Sequence, residues 1–177
     1  MTITITEGLA EIKLVASKIE KKRQFIKTYL ARQNGIRDPL EKEGGSRNAI
    51  EAAMQSVVDL EERLILLREA ISNANANNNI TISGEVRTIF QWLIWRKEVA
   101  PVKLAFLQNL LETLNKVRKE AIQKEVKVSI EGSENPLDIV VNLKEGELSK
   151  EIEKFQDILG HLDGQLSLKN ATILLTI

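Results

Sequence analysis

The chain has 177 residues, of which 43% are hydrophobic and 28% charged, and this balance is typical of one globular domain. Its 25 Lys and Arg residues equal its 25 Asp and Glu residues, so no net charge favours nucleic acid or anionic lipid as a partner. The lack of cysteine excludes disulfides, thiolate nucleophiles and cysteine-based zinc sites. The sequence has no signal-peptide pattern and no apolar run near the roughly 18 residues that a membrane helix needs. We therefore expect synthesis and retention in a cytoplasm, without a membrane partner.

The first segment alternates apolar and β-favouring residues and then changes to a helical rhythm. We predict a strand over 2–6 and a helix over 7–33, with Thr6 as the N-cap. Apolar residues recur at spacings of three and four along this helix, which is the pattern of a coiled-coil seam. Arg23 interrupts the seam, and such a residue either extends its guanidinium to solvent or selects a partner and its register.

A second helix is predicted over 46–73, after a loop rich in glycine and charged residues. Its apolar seam has no polar interruption and consists of Ile50, Ala53, Val57, Leu60, Leu64, Leu67 and Ile71. The first helical segment, 7–32, has seven basic and three acidic residues, whereas 46–72 has three basic and five acidic ones. This complementarity favours an antiparallel hairpin of the two helices.

An Asn-rich run, residues 73–79, predicts a turn before the third helix. We predict that helix over 84–122, capped by Ser83 and kinked at Pro101, because proline lacks an amide hydrogen and clashes with the preceding turn. The first part of this helix is apolar over most of its circumference, which indicates burial either in the protein's own core or against a neighbouring subunit. The candidate interaction residues in this part are Phe90, Trp92 and Trp95.

Two short strands, 125–131 and 137–142, are predicted to form a β-hairpin, and a helix over 145–169 follows them. The predicted fold is mainly α: an antiparallel coiled-coil helical bundle in a single domain over 1–177. Its minor β part is a small β-sheet formed by the hairpin and the terminal strands.

The last strand is predicted over 171–176, where Ile173 and Leu175 are candidate interaction residues. An isolated strand leaves its amides unpaired, so each terminal strand must pair with the hairpin, with the other terminal strand or with another chain. Pairing with another chain would make the terminal strands an assembly device.

Three short stretches resemble a known family. They are an Asn-rich turn after a leucine-rich helix (71–77), the Thr-Ile-Ser-Gly entry to the next helix (81–84), and Leu162-Asp163 followed by Asn170-Ala-Thr172. On these stretches, residues 46–172 resemble the septicolysin-like family of small bacterial and phage coiled-coil proteins. The resemblance implies a helical fold and implies no catalytic residues.

Catalytic and metal sites find little support in the sequence. His161, the single histidine, lies one helical turn after Asp157, which could supply two metal ligands, but an exposed histidine is the favoured interpretation. One histidine cannot provide the two Glu-x-x-His motifs of a ferritin-like di-iron site, and no G-x-S-x-G elbow is present. Residues 43–47 place glycine, serine and arginine where a helix could bind phosphate, but they lack the P-loop order, so a linker is favoured. We predict no catalytic residue, no metal ligand and no cofactor.

These observations predict a non-enzymatic structural or assembly protein that forms homo-oligomers and contacts other structural proteins. Its most concrete form is a bacteriophage virion component of a head, neck or tail, which would pass from the cytoplasm into the virion. The alternative is a cytoplasmic coiled-coil adaptor or regulator that binds a partner helix. A third and weaker interpretation is a nucleic-acid-associated protein that uses the basic face of the first helix.

Overall fold

A computed structural model describes residues 2–132 and 134–176 and shows a mainly helical fold, which confirms the predicted fold class. The elements in chain order are β1 (Thr2–Thr4), α1 (Ile5–Tyr29), a 3-10 turn (Glu41–Glu43), α2 (Ser46–Asn77), β2 (Asn79–Ile82), β3 (Glu85–Thr88), α3 (Ile89–Ile94), a π-helical turn (Trp95–Val99), α4 (Ala100–Gln123), β4 (Val128–Ser129), β5 (Ile139–Val140), α5 (Glu145–Thr172) and β6 (Leu174–Thr176).

Residue contacts divide the chain into two compact units, where the sequence predicts a single domain. The first unit comprises the segment up to Asn77 and the segment from Ser167 onward, and the second unit is Asn78–Leu166. The boundary between them falls once between α2 and β2 and once inside α5.

The first helix begins earlier than predicted because Thr4, and not Thr6, is its N-cap. The backbone amide of Glu7 donates to the Thr4 hydroxyl at 3.2 Å, and the Thr4 amide donates to the Glu7 carboxylate at 2.7 Å. These two bonds form a capping box, which satisfies amides that the helix cannot pair internally. The backbone and side-chain hydrogen bonds from Thr4 hold the pKa of Glu7 below its usual value.

The core of the first unit lies between α1 and α2 and extends to β6. One cluster of buried residues contains Ile5, Ile71 and Leu175, and a second contains Val15, Ile19 and Leu67. These positions recur at helical spacing on both helices, as a coiled-coil seam requires. The buried positions of these clusters on α2 belong to the predicted seam, whereas on α1 the buried Val15 lies one position before the predicted seam residue.

The terminal strands pair with each other and not with the central strands. β1 and β6 form an antiparallel two-stranded sheet in which Ile3 lies opposite Leu175. The expected single sheet of hairpin and terminal strands is therefore wrong: the described residues form three separate two-stranded sheets. The reason is local, since the β1 and β6 amides satisfy each other inside the first unit.

The second unit opens with a β-hairpin at the place where Ser83 was predicted to cap the third helix. β2 and β3 pair antiparallel, and the two residues between them, Ser83 and Gly84, both have positive φ, at 51° and 84°. Two consecutive positive φ angles match the twist that a two-residue hairpin needs. Ser83 therefore forms the turn, and Thr88 caps α3 through a capping box with Gln91.

The interruption of the third helix lies just before the predicted kink at Pro101. A π-helical turn over Trp95–Val99 joins α3 to α4, and Pro101 occupies the first turn of α4. Proline is tolerated there because a first-turn amide has no partner within the helix.

The predicted hairpin over 125–142 is wrong in its direction. β4 and β5 are two residues each and pair in parallel, with Val128 opposite Ile139. The pairing is fixed by the loop, because the amide of Lys127 donates to the Asp138 carboxylate at 3.0 Å and the amide of Ile139 donates to the Lys127 carbonyl at 2.8 Å.

Candidate interaction surface

The two tryptophans proposed as interaction residues contact their own unit. Trp92 is 2% exposed, and its indole Nε1 donates to the carbonyl of Ile80 at 3.0 Å. Its ring meets Trp95 edge-on at 5.4 Å between centroids, and half-buried Trp95 lies 5.6 Å from the ring of Phe155. A buried indole with a satisfied N–H anchors a helix. Here it anchors α3 to β2 within the second unit.

The candidates in the first unit also have partners inside that unit. Arg23 is exposed and forms an ion pair with Glu61 at 2.8 Å, so it extends to solvent and bridges α1 and α2. Leu175 is buried against Ile5 and Ile71, and half-buried Ile173 packs on the same cluster. None of these three side chains forms part of an open apolar surface.

Phe90 differs from the other candidates because its side chain is exposed and has apolar neighbours on the same face. We call this face the outer stripe, and it consists of Phe90, Ile94, Val99, Val102 and Phe106. The exposed fractions range from 40% at Ile94 to 70% at Val102. Single exposed apolar side chains are ordinary, whereas a contiguous row indicates a contact surface.

The π-helical turn keeps the outer stripe on one side of the helix. Four residues exceed an α-helical turn of about 3.6 residues, so a row of side chains spaced by four drifts around an α-helix. Phe90 and Ile94 have this spacing, as do Val102 and Phe106. Between the two pairs lies the π turn, which holds more residues per turn and takes up part of the drift. The stripe therefore continues from α3 into α4.

The opposite face of the same helices is held firmly in the second unit. Ile89 and Ala100 are fully buried, and Leu107 is buried one turn after Lys103. The Lys103 ammonium lies 4.4 Å from the centre of the Phe155 ring and 3.8 Å from a carboxylate oxygen of Glu151 on α5. A helix fixed on one side presents its other side without the entropy loss of ordering on contact.

Of the five residues of the stripe, Phe90 alone was predicted from the sequence as an interaction residue. Ile94 was assigned to the helix without a surface role, and Val99, Val102 and Phe106 were not singled out. The intervals of four residues between Phe90 and Ile94 and between Val102 and Phe106 were visible in the sequence. The alignment of the two pairs on one face depends on the π turn.

A second, smaller apolar row lies on α2 in the first unit. Met54, Val58 and Ile65 are all exposed and share one side of the helix with Glu61. The Arg23–Glu61 ion pair interrupts this row, so its apolar area is less continuous than that of the outer stripe.

The residues considered for chemistry form no reactive arrangement. His161 is exposed, as predicted, and borders a shallow cavity of about 330 Å³ with Thr81, Ser83 and Gln165. No group of three or more His, Asp or Glu side chains within residues 2–132 and 134–176 could hold a metal ion.

The helix N-terminus near residues 43–47 is already occupied by a side chain of the protein. The carboxylate of Asp38 accepts from the Ser46 amide at 2.9 Å, from the Ser46 hydroxyl and from the Leu40 amide at 2.9 Å. The bonds from Ser46 contribute most to keeping the pKa of Asp38 below its usual value. A phosphate would have to displace this carboxylate, so the linker interpretation is the better one.

In the part of the chain that the structure describes, no helix is both long and apolar enough to cross a bilayer.

Comparisons with known proteins assign the chain to no family. No protein-family model matches the chain, and no curated protein matches it. A crystal structure of a functionally unknown conserved protein from Corynebacterium diphtheriae is similar at a TM-score of 0.48 and 15% identity, over 99% of this chain and 100% of that one. A similarity of this size carries no conclusion about function. The resemblance to the septicolysin-like family stays a prediction.

Proposed function

We propose that the protein is a non-enzymatic assembly component whose outer stripe binds another protein surface. The observation that carries this proposal is the contiguous row of exposed apolar side chains from Phe90 to Phe106. Transfer of apolar side chains out of water is favourable. A partner that covers this row is therefore held by the hydrophobic effect.

The charge distribution supports a protein partner over nucleic acid. The chain is neutral overall, and the guanidinium of Arg23 on the basic first helix is paired with Glu61. Binding to a phosphate backbone depends on several free cations acting together. The outer stripe instead offers aromatic and aliphatic side chains, which are characteristic of the buried centre of protein interfaces.

In this proposal the chain binds further copies of itself, to form a homo-oligomer, and also binds neighbouring structural proteins. Its most concrete form is a bacteriophage virion component of a head, neck or tail. A virion part needs rigid and repeated contact surfaces, and the buried inner face of α3 and α4 supplies that rigidity.

The test compares a charge placed inside the stripe with one placed outside it. Val102 and Ile122 both lie on α4 and are 70% and 76% exposed, but Ile122 is not part of the stripe. We expect Val102→Asp to reduce the particle mass measured by size-exclusion chromatography with light scattering, because it places a carboxylate in the contact. Ile122→Asp should leave the mass unchanged. Circular dichroism checks that both variants fold, and equal masses for wild type and Val102→Asp would contradict the proposal.

The alternative function is a coiled-coil adaptor that binds a partner helix through the first unit. The observation that favours it is the exposed row of Met54, Val58 and Ile65 on α2, since methionine adapts to different partners. A wild-type protein that is monomeric at high concentration, together with binding to a helical partner that Val58→Asp abolishes, would favour the adaptor over the homo-oligomer.

A further inference from the structure

We propose that the outer stripe is covered by a second copy of the same chain, packed antiparallel across a two-fold axis near Glu98 and Val99. This inference rests on the proposed assembly function and adds to it the identity of the partner and the direction of the pairing.

The stripe is nearly symmetric about its own centre. Phe90 and Phe106 lie eight residues before and after Glu98, and Ile94 and Val102 lie four residues before and after it. In an antiparallel pair, Phe90 therefore meets Phe106 of the second copy. Ile94 meets Val102, and each Val99 lies beside the axis, opposite Lys97 of the second copy and two residues out of register with the other Val99. A two-fold interface must be self-complementary in this way, because one patch contacts itself.

The helix dipoles favour the antiparallel direction, and the charges at the centre allow it. Lys97 and Glu98 are both exposed, and neither forms an ion pair within residues 2–132 and 134–176. The antiparallel pair brings the two Glu98 carboxylates together at the axis, and each Lys97 lies within reach of Glu98 of the other copy and offsets their repulsion. The opposed helix dipoles of an antiparallel pair also attract, whereas parallel ones repel.

The area of the stripe is sufficient for a specific interface. The exposed fractions of its five side chains correspond to roughly 500 Å² of apolar surface per copy, or about 1,000 Å² for two copies. A specific contact between proteins needs about 1,000 Å² in total. Complete burial of the stripe reaches this value, and the polar residues on its flanks add to the area.

The direction of pairing can be tested by disulfide cross-linking, because the natural chain contains no cysteine. A disulfide forms only when the two Cα atoms are within about 7 Å. In the antiparallel pair, two copies of residue 90 are separated by roughly 20 Å along the helices. We therefore expect Val99→Cys to cross-link with itself. We expect Phe90→Cys and Phe106→Cys to cross-link when they are mixed, and neither to cross-link alone.

Leu137→Cys is the control, because Leu137 is exposed and lies outside the stripe, and it should not cross-link beyond the level of random collision. Val99→Cys removes little apolar surface, so it keeps the test decisive if loss of a phenylalanine weakens the pair. Self-cross-linking of both Phe90→Cys and Phe106→Cys would show a parallel pair. This result would overturn the antiparallel inference and leave the proposed assembly function standing. Absence of any cross-link would also overturn it, and the mass of Val102→Asp would then decide whether the assembly function stands.

Discussion

Gly8 is the residue at which α1 comes closest to the terminal sheet. A Cβ atom at this position would lie 2.9 Å from Cδ1 of Leu175 and 3.4 Å from Cδ1 of Ile71. Leu175 is itself buried, so its side chain has little room to move. Glycine is unfavourable inside a helix, and here the close approach of two neighbours explains its presence.

The first prediction compares two glycines that both lie inside helices. Gly8→Ala gains helix propensity but overpacks the contact with Leu175, and we expect a net loss of about 1 kcal/mol in the free energy of unfolding. Gly164→Ala on α5 meets no atom within 4 Å, so it should gain about 0.5–1 kcal/mol. Urea unfolding followed by circular dichroism measures both. A stabilised Gly8→Ala variant would show that Leu175 can give way.

At the scale of elements, the α1–α2 seam depends on which side of α2 a leucine occupies. Leu67 is fully buried in the core of the first unit, whereas its neighbour Leu66 is 51% exposed. The two residues have the same side chain and the same helix propensity. A difference between the effects of substituting them therefore reports the contribution of burial.

The second prediction follows from this pair. Leu67→Ala removes a fully buried side chain and leaves a cavity, and we expect a loss of about 2–5 kcal/mol in the free energy of unfolding. Leu66→Ala should change it by less than about 1 kcal/mol. Thermal and urea unfolding of the two variants give the comparison. Equal losses would mean that the seam does not hold α1 against α2.

The seam was predictable because helix burial follows a period that the sequence displays. Ala53, Leu67 and Ile71 were placed in the seam of the second helix, and all three are buried. A helix seam depends on local spacing alone, so no knowledge of distant residues was needed.

The strands were less predictable because their pairing depends on the turn and on the partner. Ser83 was interpreted as a helix cap, although Ser83 and Gly84 make a two-residue hairpin turn between β2 and β3. Serine is a preferred N-cap and is uncommon at positive φ, so the identity of Ser83 points to a helix cap and not to this turn. The parallel pairing of β4 and β5 likewise involves a partner that local spacing does not reveal. The amide of Lys127 donates to the carboxylate of Asp138, which lies 11 residues later in the chain.

The candidate surface was only partly predictable for a similar reason. Phe90 and Trp92 were both placed on an apolar helix, and the sequence alone left the choice between internal core and subunit contact open. The structure buries Trp92, which donates to the carbonyl of Ile80, and exposes Phe90, whose face the following π turn carries on into α4. Neither feature has a signature in the order of residues.

At the scale of the whole molecule, the first unit is assembled from residues distant in sequence. β1 and β6 lie at opposite ends of the described chain and form one sheet, and Leu175 of β6 is buried against Ile5 and Ile71. The outer stripe belongs entirely to the second unit. Stability of the first unit and assembly through the stripe should therefore respond to different changes.

The last prediction uses this separation. Removing residues 173–177 deletes β6, which leaves the amides of β1 unpaired and exposes the cluster of Ile5 and Ile71. We expect the helical circular dichroism signal at low temperature to change little, since the deleted residues lie beyond α5, and the melting temperature to fall. The loss of Leu175 alone corresponds to about 2–5 kcal/mol in the free energy of unfolding.

Assembly of the truncated protein should remain proportional to its folded fraction, because the outer stripe is intact. Leu174→Ala is the matched control, since Leu174 is an exposed leucine in the same strand and should leave the melting temperature nearly unchanged. A truncated protein that stays folded but no longer assembles would show that β6 pairs between chains. One that melts like the wild type would show that the β1–β6 sheet does not stabilise the first unit, and the burial of Leu175 would then have no measurable consequence.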